Sequence, residues 1–554
     1  MCGIFALINN NNLLGTHHVK TYFKRGALRG PEHMAFKVLD EKTTLGFHRL
    51  AINGLDETSN QPIVVNGINV ICNGEIYNYK ELYKSLGVTP KTGSDCEVII
   101  HMYMKYGIQY TLDQLDGVFA FVLVDKNKMF IARDPYGVRP LYHLQAQYNN
   151  NCHVECFSST LSTIDGITRN VSENKEKIVQ FEPGTYAYYK KDDYQYWCLK
   201  EMRKYTTIGL KTICMPKDEE TALTLINNGL TEAVRKRVDN TERPVACLLS
   251  GGLDSSLIAA LVSKFYKGTL ETYSIGLKDA EDLKYAKIVS NFIGSKHTEI
   301  IVSEEDFFNA IEVVIKNIES YDTTSVRASV GNYLIGKYIS ENSEAKVIFN
   351  GDGSDELAGG YMYFHAAPSS IEFDYECKRL LGQIHYYDVL RSDRSISSHG
   401  LEPRTPFLDR GFVQTYLSID PELRCHTGKN CEKYLLRKAF DSKDNPLLPA
   451  EVLWRKKEAF SDGVSNLNRS WYSIIDENIS KRYGKQYDNI YTGNHAPIHN
   501  TPKTREQKYY RYIFNHYYSQ PELIPKFWMP RFVDATDSSA RTLKVYDTQS
   551  VSSN

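Results

Sequence analysis

The sequence lacks an apolar run long enough to cross a bilayer. Near the predicted core of the first domain the longest apolar stretch, residues 118–124, has the length of a strand, whereas a membrane span needs about 20 residues. Residues 1–30 also lack the apolar segment and small-residue cleavage site of a secretory signal peptide. We therefore expect a soluble, cytoplasmic protein without a membrane partner.

An excess of charge of one sign is also missing. Lys and Arg number 66 against 67 Asp and Glu, which leaves a formal net charge of -1. A balanced charge gives no general attraction to nucleic acid or to an anionic membrane, so we expect no nucleic-acid partner. The eleven cysteines lack the two close pairs of a typical zinc site. We interpret all of them except Cys2 as reduced structural thiols.

A chain of 554 residues is too long for one hydrophobic core, which predicts two or more domains. The most distinctive stretch of the sequence is PVACLLSGGLDSS at residues 244–256. Its apolar residues 245–249 do not alternate with polar ones, as is typical of a parallel strand buried on both faces. The glycines, the serine hydroxyls and the start of the next helix favour a bound anion. We predict a phosphate loop, with an ordinary strand-to-helix turn as the alternative; neither a Walker A loop nor a dinucleotide fingerprint is present.

A second loop of this kind, KVIFNGDGSDE, occupies residues 346–356. Strand-like and helical segments alternate between the two loops, which predicts a doubly wound parallel sheet. Ligands of such sheets bind outside the carboxyl ends of the strands, so both loops should face one crevice. Asp254 and Asp355 would then be two hard oxygen ligands beside a phosphate chain, a pair that suits Mg²⁺.

The motif SGGLDSS at 250–256 is similar to the pyrophosphate loop of the ATP pyrophosphatases, which cleave ATP to AMP and pyrophosphate while adenylating an acceptor. From Cys2 almost to Leu543 the chain resembles the glutamine-hydrolysing asparagine synthetases. The resemblance implies an α/β protein with an N-terminal four-layer α/β/β/α sandwich of the N-terminal nucleophile hydrolase type. A doubly wound parallel-sheet ATP-pyrophosphatase domain with added helices would follow it.

Composition suggests where these domains meet. Residues 191–220 are polar, lysine-rich and without periodicity, so we place a linker there. It would separate a class II glutamine amidotransferase domain, residues 2–190, from an asparagine synthetase domain, residues 221–534. Residues 535–554 form a polar tail.

Cys2 is the candidate nucleophile of the first domain. If Met1 is removed, Cys2 carries both a thiol and a free α-amine, whose reference pKa of about 8 makes it a usable base near neutral pH. The alternative is a small buried residue that opens a strand. Its place at the start of the sequence favours the nucleophile.

The amidotransferase resemblance implies partners for Cys2. Arg49 would clamp the carboxylate of glutamine with its planar fork, Asn73 and the backbone N–H of Gly74 would stabilise the oxyanion, and Asp95 would hold the substrate ammonium. The implied glutamine-binding residues are Arg49, Leu50, Ile52, Asn53, Asn73, Gly74, Glu75 and Asp95.

Each of these residues also has a plainer interpretation. Arg49 or Asp95 could be a surface ion, and residues 73–74 could form a hairpin turn. Their order and spacing favour the amidotransferase. One departure is that the family's usual HRGPD appears here as LRGPE at residues 28–32.

In the second domain the resemblance implies three sets of binding residues. ATP would bind to Leu248, Leu249, Ser250, Gly251, Gly252, Asp254, Ser255, Ile275, Asn350 and Gly351. Aspartate would bind to Thr324, Ser325 and Arg327, and the metal to Asp254 and Asp355.

Two residues of this domain are predicted to act in catalysis. Asp352 stands where the family usually has glutamate. Lys457 would contact the phosphate in the adenylation transition state, although a lysine in a run of two could equally be solvated. The implied catalytic set is Cys2, Asn73, Gly74, Asp352 and Lys457.

The implied reaction makes L-asparagine from L-aspartate with ATP and Mg²⁺, through a β-aspartyl-AMP intermediate and with ammonia released from L-glutamine. A homodimer is possible. A β-lactam-forming synthetase would need no working glutaminase, so the pattern of Cys2, Arg49, Asn73 and Asp95 argues against it. The other alternative is a decayed synthetase that acts as an amino-acid sensor or interaction protein.

Overall fold

The computed structural model describes residues 1–11, 13–149, 152–171, 176–209, 216–429, 431–455, 470–492 and 497–539. Its N-terminal part is built on two six-stranded antiparallel sheets. The first has the spatial order β10 (Glu176–Gln180), β8 (Tyr142–Asn149), β9 (Cys152–Ser158), β1 (Gly3–Ile8), β3 (Thr43–Arg49) and β2 (His33–Asp40). The second has the order β12 (Trp197–Lys204), β11 (Thr185–Lys191), β7 (Lys128–Arg133), β6 (Gly117–Asp125), β5 (Ile68–Ile76) and β4 (Ile63–Val65).

These two sheets pack face to face. Buried apolar side chains such as Ile4, Phe47, Ile71 and Val122 fill the space between them. Helices α1 (Thr16–Phe23) and α4 (Leu161–Val171) cover the outer face of the first sheet. Helices α2 (Tyr79–Leu86) and α3 (Val98–Gln114) cover the outer face of the second. The layers follow the order α/β/β/α, which confirms the predicted sandwich.

Strand β12 lies inside the predicted linker and pairs with β11 in antiparallel register. Trp197 is its buried residue, and positions 199–204 are exposed. Polar, lysine-rich composition is common in a strand at the edge of a sheet. That composition is why the sequence pattern indicates a linker, and not a strand, at residues 197–204. The prediction of a linker from residue 191 is therefore wrong for this part, because the sheet of the first domain extends to Lys204. Residues 210–215 of that segment lie outside the described residues.

The C-terminal part contains a five-stranded parallel sheet. Its order is β15 (Lys296–Val302), β14 (Glu271–Leu277), β13 (Val245–Leu248), β16 (Val347–Phe349) and β17 (Glu402–Arg404). Val245 and Cys247 belong to one buried cluster, whereas Ala246 belongs to the cluster on the opposite face. Burial on both faces explains why the apolar residues of this strand do not alternate with polar ones.

Helices cover both faces of this sheet, which confirms the doubly wound prediction. They include α5 (Glu219–Asp239), α6 (Leu253–Phe265), α7 (Glu281–Ile293), α8 (Glu304–Asn309), α9 (Ile311–Ile318), α10 (Thr323–Asn342), α11 (Ser354–Ala358), α12 (Ser370–Gln383), α13 (Asp388–Ser397), α14 (Arg410–Ser418), α15 (Pro421–Arg424), α16 (Tyr434–Ala439), α17 (Ala450–Leu453), α18 (Trp471–Tyr483) and α19 (Arg505–Tyr517). None of the helices in the described ranges has the length and apolar character that a bilayer crossing requires.

Short 3-10 helices complete the secondary structure at Lys24–Arg29, Glu57–Ser59, Asp95–Glu97, Met362–Ala366, Ile384–Tyr386, Pro406–Leu408 and Pro521–Leu523. The two domains share a buried apolar contact. Leu50 and Ile52 of the first domain belong to the same cluster as Val234 and Leu408 of the second.

Candidate functional site

Cys2 lies directly before β1, the inner strand of the first sheet. Its Sγ donates to the carbonyl oxygen of Leu50 at 3.5 Å, and Arg29 Nε donates to the Cys2 carbonyl oxygen at 3.0 Å. Burial raises the pKa of the Cys2 thiol to about 11. The thiol is therefore protonated at neutral pH and needs a base before it can attack a carbonyl carbon.

Asn73 and Gly74 lie within strand β5, opposite Ala120 and Phe119 of β6. The alternative of a hairpin turn at this pair is thus excluded. Asn73 Nδ2 lies 3.5 Å from the Ser159 hydroxyl, and Asn73 Oδ1 is buried without a hydrogen-bond partner in the described part of the chain. A Cβ at position 74 would lie 2.3 Å from the Val118 carbonyl oxygen. Glycine is required there because β5 and β6 approach so closely.

Arg49 ends β3, and the loop that follows holds its guanidinium. Arg49 Nη1 donates to the Asp56 carbonyl oxygen and to Asn60 Oδ1, both at 2.8 Å. Asp95 accepts a hydrogen bond from the Ile76 N–H at 2.6 Å, and burial raises the pKa of its carboxyl to about 6. Both side chains are buried, so the interpretation as surface ions is wrong.

Asn53 and Glu75, two residues of the predicted glutamine set, contact each other and the second domain. Asn53 Nδ2 donates to Glu75 Oε2 at 2.8 Å, and Asn240 Nδ2 donates to the same oxygen at 3.2 Å. Arg404 Nη2 pairs with it at 3.3 Å. Burial raises the pKa of Glu75 well above its usual range. This part of the predicted glutamine site therefore lies at the contact between the domains.

Glu32, the departure from the family motif, supports the loop after Arg49. Its Oε2 accepts from the Ala51 N–H at 2.7 Å. Its Oε1 pairs with Arg243 of the second domain. The longer glutamate side chain thus retains a structural role at this position.

The first glycine loop connects β13 to α6. Gly251 has a φ of 72°, and a Cβ there would lie 2.4 Å from the Ala286 backbone nitrogen in α7. Only glycine satisfies both the left-handed conformation and this close approach. Ser250 and Ser255 share a hydrogen bond of 2.9 Å between their hydroxyls, which closes the loop over the start of α6.

The second glycine loop follows β16 and touches the first. A Cβ at Gly351 would lie 2.7 Å from Asp254 Cβ. Both loops border one cavity at the carboxyl ends of the parallel strands. The predicted residues that line it are Leu248, Leu249, Ser250, Gly252, Asp254, Ser255, Ile275, Asn350, Gly351, Asp352, Asp355 and Thr324. Gly251 shapes the loop without lining the cavity.

Asp254 and Asp355 reach toward a single point. Lys433 lies there: its Nζ donates to the Asp254 carboxylate oxygens at 2.7 and 2.6 Å and pairs with Asp355 Oδ1 at 2.5 Å. Two carboxylates within reach of one cation fit the oxygen chemistry of Mg²⁺. In the described ranges no group of three or more His, Cys, Asp and Glu is arranged to hold a metal. Phosphate and water oxygens would therefore have to complete the coordination.

Asp352 belongs to a partly buried cluster of charged side chains at the cavity wall. Its Oδ1 accepts from Arg391 Nη2 at 3.0 Å, and its Oδ2 has no hydrogen-bond partner in the described structure. Asp388 pairs with the same guanidinium, and burial raises the pKa of Asp388 to about 6. The free oxygen of Asp352 is thus an available acceptor at the cavity.

The residues predicted for aspartate do not all meet at this cavity. Thr324 lines it, and its hydroxyl is buried without a partner in the described structure. The Ser325 hydroxyl donates to Asp322 at 2.8 Å, and Asp322 caps α10 by accepting from the Ser325 N–H. Arg327 lies among the two carboxylates of Glu506 and Asp537, with Nε 2.9 Å from Glu506 and Nη1 2.7 Å from Asp537. Ser325 and Arg327 therefore stabilise the surroundings of Thr324 in this structure.

Lys457 lies outside the described residues. The structure adds Asp388 and Arg391 to the cavity lining and places Lys433 against Asp254 and Asp355; the sequence singled out none of these three residues. None of them stands in a glycine-rich or otherwise distinctive segment. Lys433 is identified by its contacts with Asp254 and Asp355. Arg391 is identified by its pair with Asp352, and Asp388 by its pair with Arg391.

Comparisons with known proteins agree with this division. The family model described as "Glutamine amidotransferase domain" matches residues 1–200, and that described as "Asparagine synthase" matches residues 225–375 and 368–519. The curated "Asparagine synthetase [glutamine-hydrolyzing]" of Gallus gallus is 41% identical over 580 aligned residues, covering 99% of each chain. The proteins of that name from Bos taurus and Homo sapiens are both 40% identical, over 577 and 575 residues, again with 99% of each chain covered.

Proposed function

The chain belongs to the glutamine-hydrolysing asparagine synthetases, and on that premise we propose which of its residues carry the two half-reactions. The protein is a carbon–nitrogen ligase that makes L-asparagine from L-aspartate and ATP with nitrogen from L-glutamine. AMP, pyrophosphate and glutamate are the other products, and nothing in the structure favours a decayed, non-catalytic alternative.

In the first half-reaction, Cys2 is the nucleophile. Removal of Met1 would free the α-amine of Cys2, which would accept the proton of the thiol. The thiol needs such a base because burial holds its pKa at about 11. Sγ attacks the carboxamide carbon of glutamine, ammonia leaves, and water then releases glutamate from the thioester.

The other residues of this site bind and orient glutamine. Asn73 and the N–H of Gly74 face the developing oxyanion. Arg49 holds the α-carboxylate, and Asp95 holds the ammonium. Support comes from the burial of Arg49, Asn73 and Asp95 and from the short hydrogen bonds that fix Arg49 and Asp95.

In the second half-reaction, the glycine loops hold the phosphates of ATP. The backbone of Ser250 to Ser255 and the start of α6 favour the phosphate chain, and Thr324 and Asp352 offer polar groups to aspartate and its acyl-adenylate. Lys457 would contact the reacting phosphate. Asp254 and Asp355 would hold Mg²⁺, which supplies positive charge to the leaving pyrophosphate.

Ammonia is mostly protonated in water at neutral pH and is then not a nucleophile. We therefore propose that it passes from Cys2 to the acyl-adenylate within the protein. The buried contact between the domains around Leu50 and Ile52 supports such a shielded route.

We also propose a cytoplasmic location and a homodimeric assembly. The described cysteines are free thiols, which fits the reducing cytoplasm. The near-neutral charge gives no reason for a nucleic-acid or membrane partner. The family resemblance supports a homodimer.

The observation that carries the proposal is that two chemically separate centres share one folded chain: a half-buried thiol beside Arg29 and Leu50, and a cavity bordered by two glycine loops. The test is Cys2→Ala. We expect asparagine synthesis from glutamine to be lost and synthesis from ammonium salts to remain, because the thiol serves only ammonia release. Asparagine, AMP and pyrophosphate are measured with each nitrogen source.

The control is Cys198→Ala, which removes a partly exposed thiol of the same domain and should leave both activities intact. Loss of ammonium-dependent synthesis in a folded Cys2→Ala protein would contradict the assignment of separate centres.

A further inference from the structure

Lys433 occupies the position between Asp254 and Asp355 that is proposed for the metal. Lys433 is 1% exposed, and its ammonium contacts both Asp254 oxygens, Asp355 Oδ1 and, at 3.3 Å, the Ser354 hydroxyl. A cation buried between two carboxylates neutralises much of their charge. A free divalent ion would then find little net charge to attract it there.

The surrounding backbone is shaped around this lysine. Lys433 has a φ of 53° and a ψ of 31°, a left-handed conformation that costs free energy for any residue with a side chain. A Cβ at Gly360 would lie 1.9 Å from Lys433 Cε and 2.1 Å from Asp355 Oδ1. Glycine at 360 thus leaves the space through which the lysine side chain reaches the carboxylates.

We propose that Lys433 occupies the metal position in the empty enzyme and moves to the phosphate chain when the metal ion and ATP bind together. The proposal rests on the metal role of Asp254 and Asp355 given above. An ammonium and a divalent cation repel each other too strongly to share one pair of carboxylates. The phosphates of ATP supply enough negative charge for both cations. Lys433 is therefore a positioning residue that makes metal binding depend on the nucleotide.

The experiment measures Mn²⁺ binding by electron paramagnetic resonance without substrates. Wild-type protein should bind Mn²⁺ weakly alone and tightly with a non-hydrolysable ATP analogue. Lys433→Met should bind Mn²⁺ without nucleotide at least about tenfold more tightly than wild type, because one positive charge is removed from between the two carboxylates. The control is Lys438→Met, which removes an equal charge from α16 at a surface pair with Glu219 and should behave like wild type.

A second variant removes the charge and keeps a polar side chain. In Lys433→Gln the neutral amide can still donate a hydrogen bond to Asp254 or Asp355, the partners of the lysine ammonium, and the close packing of Gly360 against Asp355 is left unchanged. Nucleotide-free Mn²⁺ affinity should again rise by at least about tenfold, and Mn²⁺ alone should raise the melting temperature of the variant and not of wild type. This variant tests the proposal even if Lys433→Met does not fold.

Equal nucleotide-free Mn²⁺ affinity in wild type and folded Lys433→Gln, or in wild type and folded Lys433→Met, would overturn the proposal. Asp254→Asn tests the underlying assignment separately. If its Mn²⁺ affinity with the ATP analogue equals that of wild type, the metal site itself is misassigned. Failure of the lysine proposal and failure of the metal assignment thus give different results.

Discussion

At the scale of single residues, burial determines how the glutamine site responds to pH. The pKa of Asp95 is raised to about 6 by burial, so its carboxyl becomes neutral as the pH falls through that value. A neutral carboxyl no longer attracts the ammonium of glutamine. Below pH 6 we expect KM for glutamine to rise by up to about tenfold per pH unit. Ammonium-dependent synthesis, compared at the same pH values and at equal concentrations of free ammonia, should lack this step.

Asp95→Asn provides the matched control for this effect. The variant should bind glutamine weakly at every pH, and the step near pH 6 should disappear from its KM. A KM for wild type that stays constant between about pH 5 and about pH 7 would contradict the role of Asp95 in holding the ammonium.

At the scale of elements, the loop between β13 and α6 depends on its contact with α7. In Gly251→Ala the new Cβ would lie 2.4 Å from the backbone nitrogen of Ala286, and a helix backbone cannot yield as a flexible side chain does. The loop must therefore shift by the order of an ångström, which should slow pyrophosphate release by about a hundredfold. Glutamine hydrolysis, measured as glutamate release, should persist.

Gly294→Ala separates the clash from the backbone conformation. Gly294 has a φ of 68°, and a Cβ there would meet no atom within 4 Å. This control should lose about 1 kcal/mol of stability and keep normal pyrophosphate release. A Gly251→Ala protein with wild-type pyrophosphate release would show that the loop does not position the phosphates.

At the scale of the whole molecule, Arg29 joins the domains directly behind the nucleophile. Its guanidinium donates to Asp393 Oδ1 at 2.7 Å and to Ser397 at 3.0 Å in α13, while Nε holds the Cys2 carbonyl. Breaking this buried pair in Arg29→Met should lower the free energy of unfolding by about 3–5 kcal/mol. Glutamine-dependent synthesis should fall further than ammonium-dependent synthesis, because Cys2 loses its support.

Arg25→Met is the matched control, since Arg25 lies in the same 3-10 helix but is exposed and donates to the Ser162 carbonyl oxygen. It should change stability by less than about 1 kcal/mol in thermal unfolding. An Arg29→Met protein as stable as this control would show that the ion pair does not hold the domains together.

Features that depend on neighbouring residues were predictable from the sequence. The strand, the glycine loop and the helix start at residues 244–256 follow from the continuous apolar run, the two glycines and the serines of that stretch. The doubly wound sheet follows from the alternation of strands and helices. Both glycine loops therefore meet at one cavity, as predicted. The edge strand β12 was not predicted, because its exposed positions lack the alternation of apolar and polar residues that marks a strand.

The sequence by itself determined the family, because its motifs stand in a recognisable order, and the layers of the first domain followed from that resemblance. Only the tertiary structure decided which partners the long charged side chains reach. Lys433 donates to Asp254, which is 179 positions away in the sequence. Arg327 donates to Glu506, 179 positions away, and to Asp537, 210 positions away. The physical reason is that a buried charge must be neutralised by whatever the fold brings beside it, and no spacing in the sequence encodes that neighbour.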